Sequence, residues 1–502
     1  MKRIIFPAAV LAAGLLVSQA IFFFFVYRSN LALHAKLMAM DAAGYLIVPN
    51  PIVMAELTRF LPAFNGALFF TLTVGAGLCI AAMAGAWLYS RVFNGSRKFA
   101  FLLIVLWLAA LIAVNAGGFS LLATIPLLLI PPFVFIAHVY HMPSEIRPQG
   151  RLVLFLQVAC VVVIALLWLP KADRDIFIEI RDNLLLSTGV GAAVNDFYYR
   201  YTLYPAKLFK TTGQKLIVPA CTNDIRDEAL KVRVDTVLAA HDFLPVHGSG
   251  PCDLYVTLDN DRLAFSLNGK GILKKNVSDF FQAPRSVLLD FSQRTDNQHF
   301  FRLITFYSLF AAFPLALFIL FHGLICVLLF MVPQIFLRHG LATLVCLFIG
   351  LGAAVPLYLG ANAPMTTRDE IQAGLLSGDR QLQRRALMAL SASDMDPLAF
   401  KIDSRILESQ HVPIRYWLAA ALGNGRGPGA ADLLWPMIAD PHPNVVCSAY
   451  SSIGRVGGRG DAEKIIQGIS ASDHWYVQWY AYRALRQLGW TQKPSGTNPG
   501  RL

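Results

Sequence analysis

Seven stretches of the chain carry no Asp, Glu, Lys or Arg and are apolar almost throughout: residues 4–27, 68–89, 99–114, 119–139, 152–169, 303–332 and 341–359. A helix needs about 20 apolar residues to cross the roughly 30 Å hydrocarbon core of a bilayer. Most of the runs meet that length, while 99–114 and 152–169 fall slightly short. The pattern predicts a polytopic α-helical membrane protein with about seven spans. Residues 303–337 hold no charge, and their apolar character is broken only at Pro314, His322, Pro333 and Gln334. Two spans and a turn would need about 40 residues there, so one long or kinked helix is expected. The first run follows Lys2 and Arg3, as a signal peptide would. Its length and its lack of a small-residue cleavage site point instead to a retained anchor.

The last quarter follows a different rhythm. Apolar residues recur in steps of four at Leu382, Ala386 and Leu390; Ile414, Leu418 and Leu422; Val445, Ala449 and Ile453; and Val477, Ala481 and Leu485. The four sets start 32, 31 and 32 residues apart. Steps of four put three side chains on one helix face, and a fixed period near thirty predicts stacked helix pairs. The partner helices are expected at 402–407, 433–438 and 465–469. Units of this kind bury their cores only against one another and leave a long concave surface. That surface is the expected docking face for a protein partner. Trp435, Trp475, Tyr476, Trp479 and Tyr480 are the contact candidates, because aromatic side chains dominate interface energetics. Trp417, beside Leu418, is expected to pack between repeats.

The stretches "DPHPNVVCSAYSSIGRVG" and "SDHWYVQWYAYRALRQLG" resemble HEAT-like repeats of the phycobilisome-lyase type. Members usually show an Asp/Pro turn, a Val-Arg pair, Ala at the packing position and Ala-Leu-Gly at the helix end. Ile414 and Arg415 keep the sense of the Val-Arg pair, while Val445 with Val446 and Val477 with Gln478 depart from it. Ala421, Leu422 and Gly423 match the helix end in full. The resemblance covers roughly residues 366–490 and implies a protein-interaction module; no lyase activity is carried over.

Composition agrees with a bilayer location. Of 502 residues, 56% are hydrophobic and 15% charged, and the mean hydropathy is +0.53; soluble domains average about 45–50% and about 25%. Basic residues flank alternate ends of the runs: Lys2 and Arg3; Arg91, Arg97 and Lys98; Arg147 and Arg151; and Arg338. Basic loops stay in the cytoplasm, so the N-terminus is expected inside and residues 28–66, 171–302 and 362–502 outside. The expected location is a bacterial inner membrane. The net charge of +12 is spread along the chain, with no basic-aromatic strip of the kind that binds nucleic acid.

Residues 28–66 include "LALHAKLMAM", expected in part as an amphipathic helix lying on the membrane surface. Residues 171–302 make an insert large enough for its own small core. A helix is expected at 224–240, a strand at 243–246 and a hairpin at 252–258 and 262–267 around Asp259, Asn260 and Asp261. The fold class is therefore mainly α: a membrane domain at 1–170, a small α/β insert at 171–302, two further spans at 303–361, a HEAT-like α-solenoid at 362–490 and a disordered tail at 491–502.

Chemistry is sparse. Cys221 and Cys252 are the two cysteines of the insert; in an oxidising compartment a bridge between them would contribute roughly 3–4 kcal/mol. Elsewhere they remain two thiols. Cys79, Cys160, Cys326 and Cys346 fall in apolar runs, as small packing residues. No Cys/His spacing of metal-binding type is present, and no cofactor is expected. His138, His141 and His322 lie in or beside spans, and His241 and His247 flank the expected strand. The catalytic candidates are Asp41 and Glu56 in loop 28–66, where a carboxylate would serve as general base or metal ligand in chemistry on a lipid-linked sugar. The reading is a scaffold, assembly or accessory protein rather than an enzyme. A membrane enzyme acting on lipid or lipid-linked glycan is the alternative, and a permease subunit of a transport complex the second.

Overall fold

The computed structural model describes residues 6–142, 148–171, 176–246, 250–359 and 365–493. His247 and tail residues 494–502 lie outside the described residues. The chain is mainly helical, with one small sheet.

Among the described residues, five helices are long and apolar enough to cross a membrane: Phe6–Ala42, Phe60–Val92, Leu121–His141, His299–Leu328 and Ile335–Val355. The runs at 99–114 and 152–169 are helical too, in Arg97–Val114 and in Pro148–Trp168 with the 3-10 turn Leu169–Lys171 that follows it. Close approach of the helices rests on small residues, which let backbones touch where lipid supplies no hydrophobic drive. A Cβ on Gly14 would stand 2.6 Å from Cys79 Sγ, and one on Gly75 would stand 2.7 Å from Ser18 Cβ. Gln19 ties the first two spans together: its Nε2 donates to Phe64 O at 2.8 Å, and its Oε1 accepts from Thr71 Oγ1 at 2.6 Å.

The first helix corrects one expectation. Between Leu15 and Ala43 the sequence holds neither glycine nor proline, so nothing stops the helix at the membrane surface. Phe6–Ala42 therefore runs on for 37 residues, about 55 Å. Gly44, at φ +81°, ends it in the left-handed conformation that glycine tolerates. "LALHAKLMAM" stands up from the bundle as its second half, and Leu37 and Met40 are buried. The long apolar run near the other end behaves as expected: one helix, His299–Leu328, turns back at residues 329–334 into Ile335–Leu359. Arg338 holds that turn, its guanidinium donating to Phe330 O and Val332 O at 3.1 Å each.

The insert folds on a five-stranded sheet: β1 Val218–Cys221, β2 Phe243–Pro245, β3 Leu254–Asp259, β4 Arg262–Leu267 and β5 Lys270–Asn276. The order is β2-β1-β3-β4-β5, parallel through β2, β1 and β3 and antiparallel through β3, β4 and β5. Leu254 and Val256 on β3 and Leu263 and Phe265 on β4 alternate inward. Helix Glu228–Ala240 supplies Val234 and Leu238 to the same core, and Asp227 caps it, accepting from Ala229 N and Leu230 N. Strands β1 and β5 were not expected. The cue for β5 was Asn268-Gly269, both at positive φ, the two-residue turn that matches strand twist.

In the last quarter, helices Arg380–Ala392, Val412–Leu422, Pro443–Val456 and Trp475–Gln487 pack in chain order, each against the next. Shorter helical pieces lie between them, at Ser404–Leu407, Pro428–Leu434 and Ala462–Ala471. Eleven of the twelve apolar positions of the repeat are buried and Leu382 is half-buried.

Candidate functional site

The first half of the insert is laid along the helix row. Arg181 and Asp182 form a buried pair at 2.7 Å. Trp417 Nε1 donates to Asp182 Oδ2 at 2.7 Å, and the Arg181 guanidinium sits 3.8 Å over the Tyr416 ring. Burial works against the Arg181 charge, but Asp182 and the Tyr416 hydroxyl overcome it and raise its pKa. Further along, Arg384 donates to Asn183, and Asn195 Nδ2 donates to Asn444 Oδ1 at 3.3 Å. Tyr199 meets Tyr476 with ring centroids 4.8 Å apart, and Tyr204 meets Trp475 edge-on at 5.0 Å. Each contact joins residues 181–204 to a different helix of the row or to a neighbouring turn of one.

The end of the row is held by two other segments. Asn50 Nδ2 donates to Ile469 O, Ser470 O and Ser472 O at 2.9–3.0 Å, and Asn50 N donates to Gln478 Oε1 at 2.8 Å. Gln492 pairs with the backbone of a single residue: Leu46 N donates to its Oε1 at 3.2 Å, and its Nε2 donates to Leu46 O at 2.7 Å. Gln492, expected within the disordered tail, is instead held and buried by this amide pairing. From the sheet side, Asp242 accepts from Tyr482 OH at 2.6 Å and pairs with Arg486 at 3.0 Å.

The first helix joins the same assembly. Asp253 takes Lys36 at 2.5 Å and Lys215 at 3.1 Å. Burial alone would raise its pKa; Lys215 and Lys36 outweigh that and lower it. Beside them Lys207 is buried, and burial followed by the Lys210 and Lys215 charges brings its pKa down to about 7. Cys221 and Cys252 are bonded, with Cα atoms 5.9 Å apart, so the bridge ties the end of β1 to the approach to β3.

The contact candidates fall into two groups. Trp475 is buried, with Lys207 Nζ 5.8 Å over its ring, and Tyr476 is turned to Tyr199. Trp435, Trp479 and Tyr480 are half-buried: Lys464 covers Trp435 at 5.1 Å, Lys210 and Arg483 cover Trp479, and Tyr480 packs on Trp479. Of the catalytic candidates, Glu56 pairs with Arg59 at 2.5 Å on an exposed turn, and Asp41 ends the first helix.

One group of ligand-type residues does converge, among those described: His322, Cys326 and His339. Their spacing gave only part of it, because His339 arrives from beyond the turn. The signal available was His322 and Cys326 four residues apart on one apolar helix. No protein-family model, curated protein or solved structure matches the chain.

Proposed function

We propose that the chain is an integral membrane scaffold, assembly or accessory protein that recruits a protein partner through HEAT-like repeats. The observation that carries this reading is where the row's surface is spent and where it is free. The face of the long helices is taken up by the chain's own residues 181–204. The shorter helical pieces leave Leu407 and Leu433 exposed, and Leu376 at the end of helix Arg368–Leu376 and Leu398 in the turn Pro397–Ala399 are exposed as well, all by 38–45%. The internal grip fixes the row rigidly on the bundle, and the exposed leucines with Trp435 form the surface left for a partner.

The reading includes seven spans, a cytoplasmic N-terminus and an extracytoplasmic head in a bacterial inner membrane. Two contacts support a common side for the head. Ser120, which caps the start of helix Leu121–His141, donates to Gln298, and Asn297 donates to Phe119 O. The bonded cysteines suit an oxidising compartment.

Affinity purification from native membranes tests the role. A partner recovered with the wild type is lost from a Leu407→Glu/Leu433→Glu variant of equal abundance. The same partners recovered from both at the same yield would overturn the docking surface.

A further inference from the structure

The membrane bundle contains one polar arrangement that packing does not require. His322 and Cys326 sit four residues apart on His299–Leu328, and His339 faces them from the first turns of Ile335–Leu359. Their ligand atoms all lie within 4.8 Å of one another. Cys326 Sγ is 3.5 Å from His339 Nδ1 and 3.9 Å from His322 Nδ1. His322 and Cys326 are buried and His339 half-buried.

These distances have a chemical meaning. An ion about 2.0–2.1 Å from nitrogen and about 2.3 Å from sulfur, with tetrahedral angles, spaces the two ligands about 3.6 Å apart. Both sulfur–nitrogen separations fall close to that edge length without rearrangement of the helices. The outer contacts also fit. Gln157, on Pro148–Trp168, has its amide 3.1 Å from His322 Nε2. A histidine bound through Nδ1 carries its proton on Nε2, and an amide oxygen there accepts it and fixes the ring. Which amide atom faces the ring is a matter of assignment that Gln157 satisfies by a flip.

We propose that His322, Cys326 and His339 form a binding site for one Zn2+ or Cu+ ion, clamping the hairpin between the last two membrane helices. One thiolate and two imidazoles are soft to borderline ligands, suited to these ions and unsuited to Mg2+ or Ca2+. Three protein ligands complete a trigonal Cu+ site and leave Zn2+ one open position. A metal held there joins His299–Leu328 to Ile335–Leu359, and through Gln157 to Pro148–Trp168.

The test uses the full-length protein in detergent, loaded separately with Zn2+ and with Cu+ under reductant, desalted and measured for metal by mass spectrometry. The expected result is about one ion per chain with one of the two. Cys326→Ser and His339→Gln each retain about tenfold less, while Cys346→Ser, in the same helix pair but outside the group, retains the wild-type amount. Co2+ provides a readout independent of the variants: the wild type gains a thiolate-to-cobalt charge-transfer band. Wild-type protein that holds neither ion and shows no cobalt band overturns the site. So does a Cys326→Ser variant that loads as the wild type does.

Discussion

Asn50 Nδ2 lies 2.9 Å from the Ile469 carbonyl oxygen, although 419 residues separate the two. The same amide reaches Ser470 O and Ser472 O, so it closes the end of helix Ala462–Ala471. Asn424 closes the end of Arg380–Ala392 in the same way, on Leu390 O, Ser391 O and Ser393 O. The last carbonyls of a helix have no partner within it, and in both places one asparagine amide reaches two of them and the carbonyl of the capping serine. The first extramembrane segment has thus acquired a device that the repeats use among themselves.

Asn50→Ala takes this donor from the buried Ile469 carbonyl and from the part-buried Ser470 and Ser472 carbonyls, at a cost of about 1–3 kcal/mol. The expected outcome is a lower Tm, with residues 43–59 becoming sensitive to protease while the membrane helices stay resistant. Unchanged protection of that segment would show that Gln492 and its pairing with Leu46 suffice to hold it.

Lys207 gives the head a pH dependence with a definite sign. Its pKa falls from 10.5 to about 7 on folding, so between those values the unfolded chain holds a proton that the folded chain has released. Stability therefore rises as pH rises from about 7 towards 10.5, by an amount on the order of 4 kcal/mol. Lys207→Met removes the cost of burying the charge. It raises the Tm at pH 7 and raises it far less near pH 10, as measured by thermal unfolding across that range.

How much of this was legible in the chain differs from part to part. The apolar anchors could be read directly, since burial against a neighbouring helix needs nothing beyond the four-residue step. The polar positions beside them were read too literally. Gln478 departs from the Val-Arg pattern, yet its Nε2 donates to Ser472 O just as Arg415 donates to Ser409 O and Gln383 to Ser377 O. In all three the donor reaches a carbonyl six residues back. The residue type varied while the hydrogen bond did not. Asp182, Asn50 and Gln492 were beyond local reading, because their partners lie 235, 419 and 446 residues away. No period or motif encodes such pairs. The His322, Cys326 and His339 group was half legible, as two residues on one helix face, and was completed only by the turn.

Two histidines cap helices of the row and set its acid limit. Asn444 N donates to His442 Nδ1 at 3.3 Å, and Tyr476 N donates to His474 Nδ1 at 3.2 Å. Each cap requires an unprotonated Nδ1. Burial lowers the pKa of both below 6.5, opposed at His442 by Asp440 and reinforced at His474 by Arg200. The stability they contribute is complete above 6.5 and is lost as pH falls below it, because the unfolded chain then takes up protons that the folded one resists. His474→Asn keeps a side-chain acceptor at the cap and removes one titrating group. Its unfolding midpoint is expected to decline less steeply from pH 7 to about pH 5 than that of the wild type.

The Cys221–Cys252 bridge links stability to sidedness. It closes a loop of 31 residues, and constraining a loop of that size in the unfolded chain is worth about 3–4 kcal/mol. Cys221→Ser/Cys252→Ser should lower the Tm of the head by that equivalent, and reductant should do the same to the wild type and nothing to the variant. The location of the head can be read on the same background by placing a single cysteine at Asn268, in the turn between β4 and β5. With the head outside the cytoplasm, an impermeant maleimide labels Asn268→Cys in intact cells as fully as in opened membranes. Cys447 cannot substitute as the probe, because it is buried between helices and its thiol pKa is raised by that burial. Labelling of Asn268→Cys only after the membranes are opened would place the head in the cytoplasm, and the bridge would then have to form against a reducing pool.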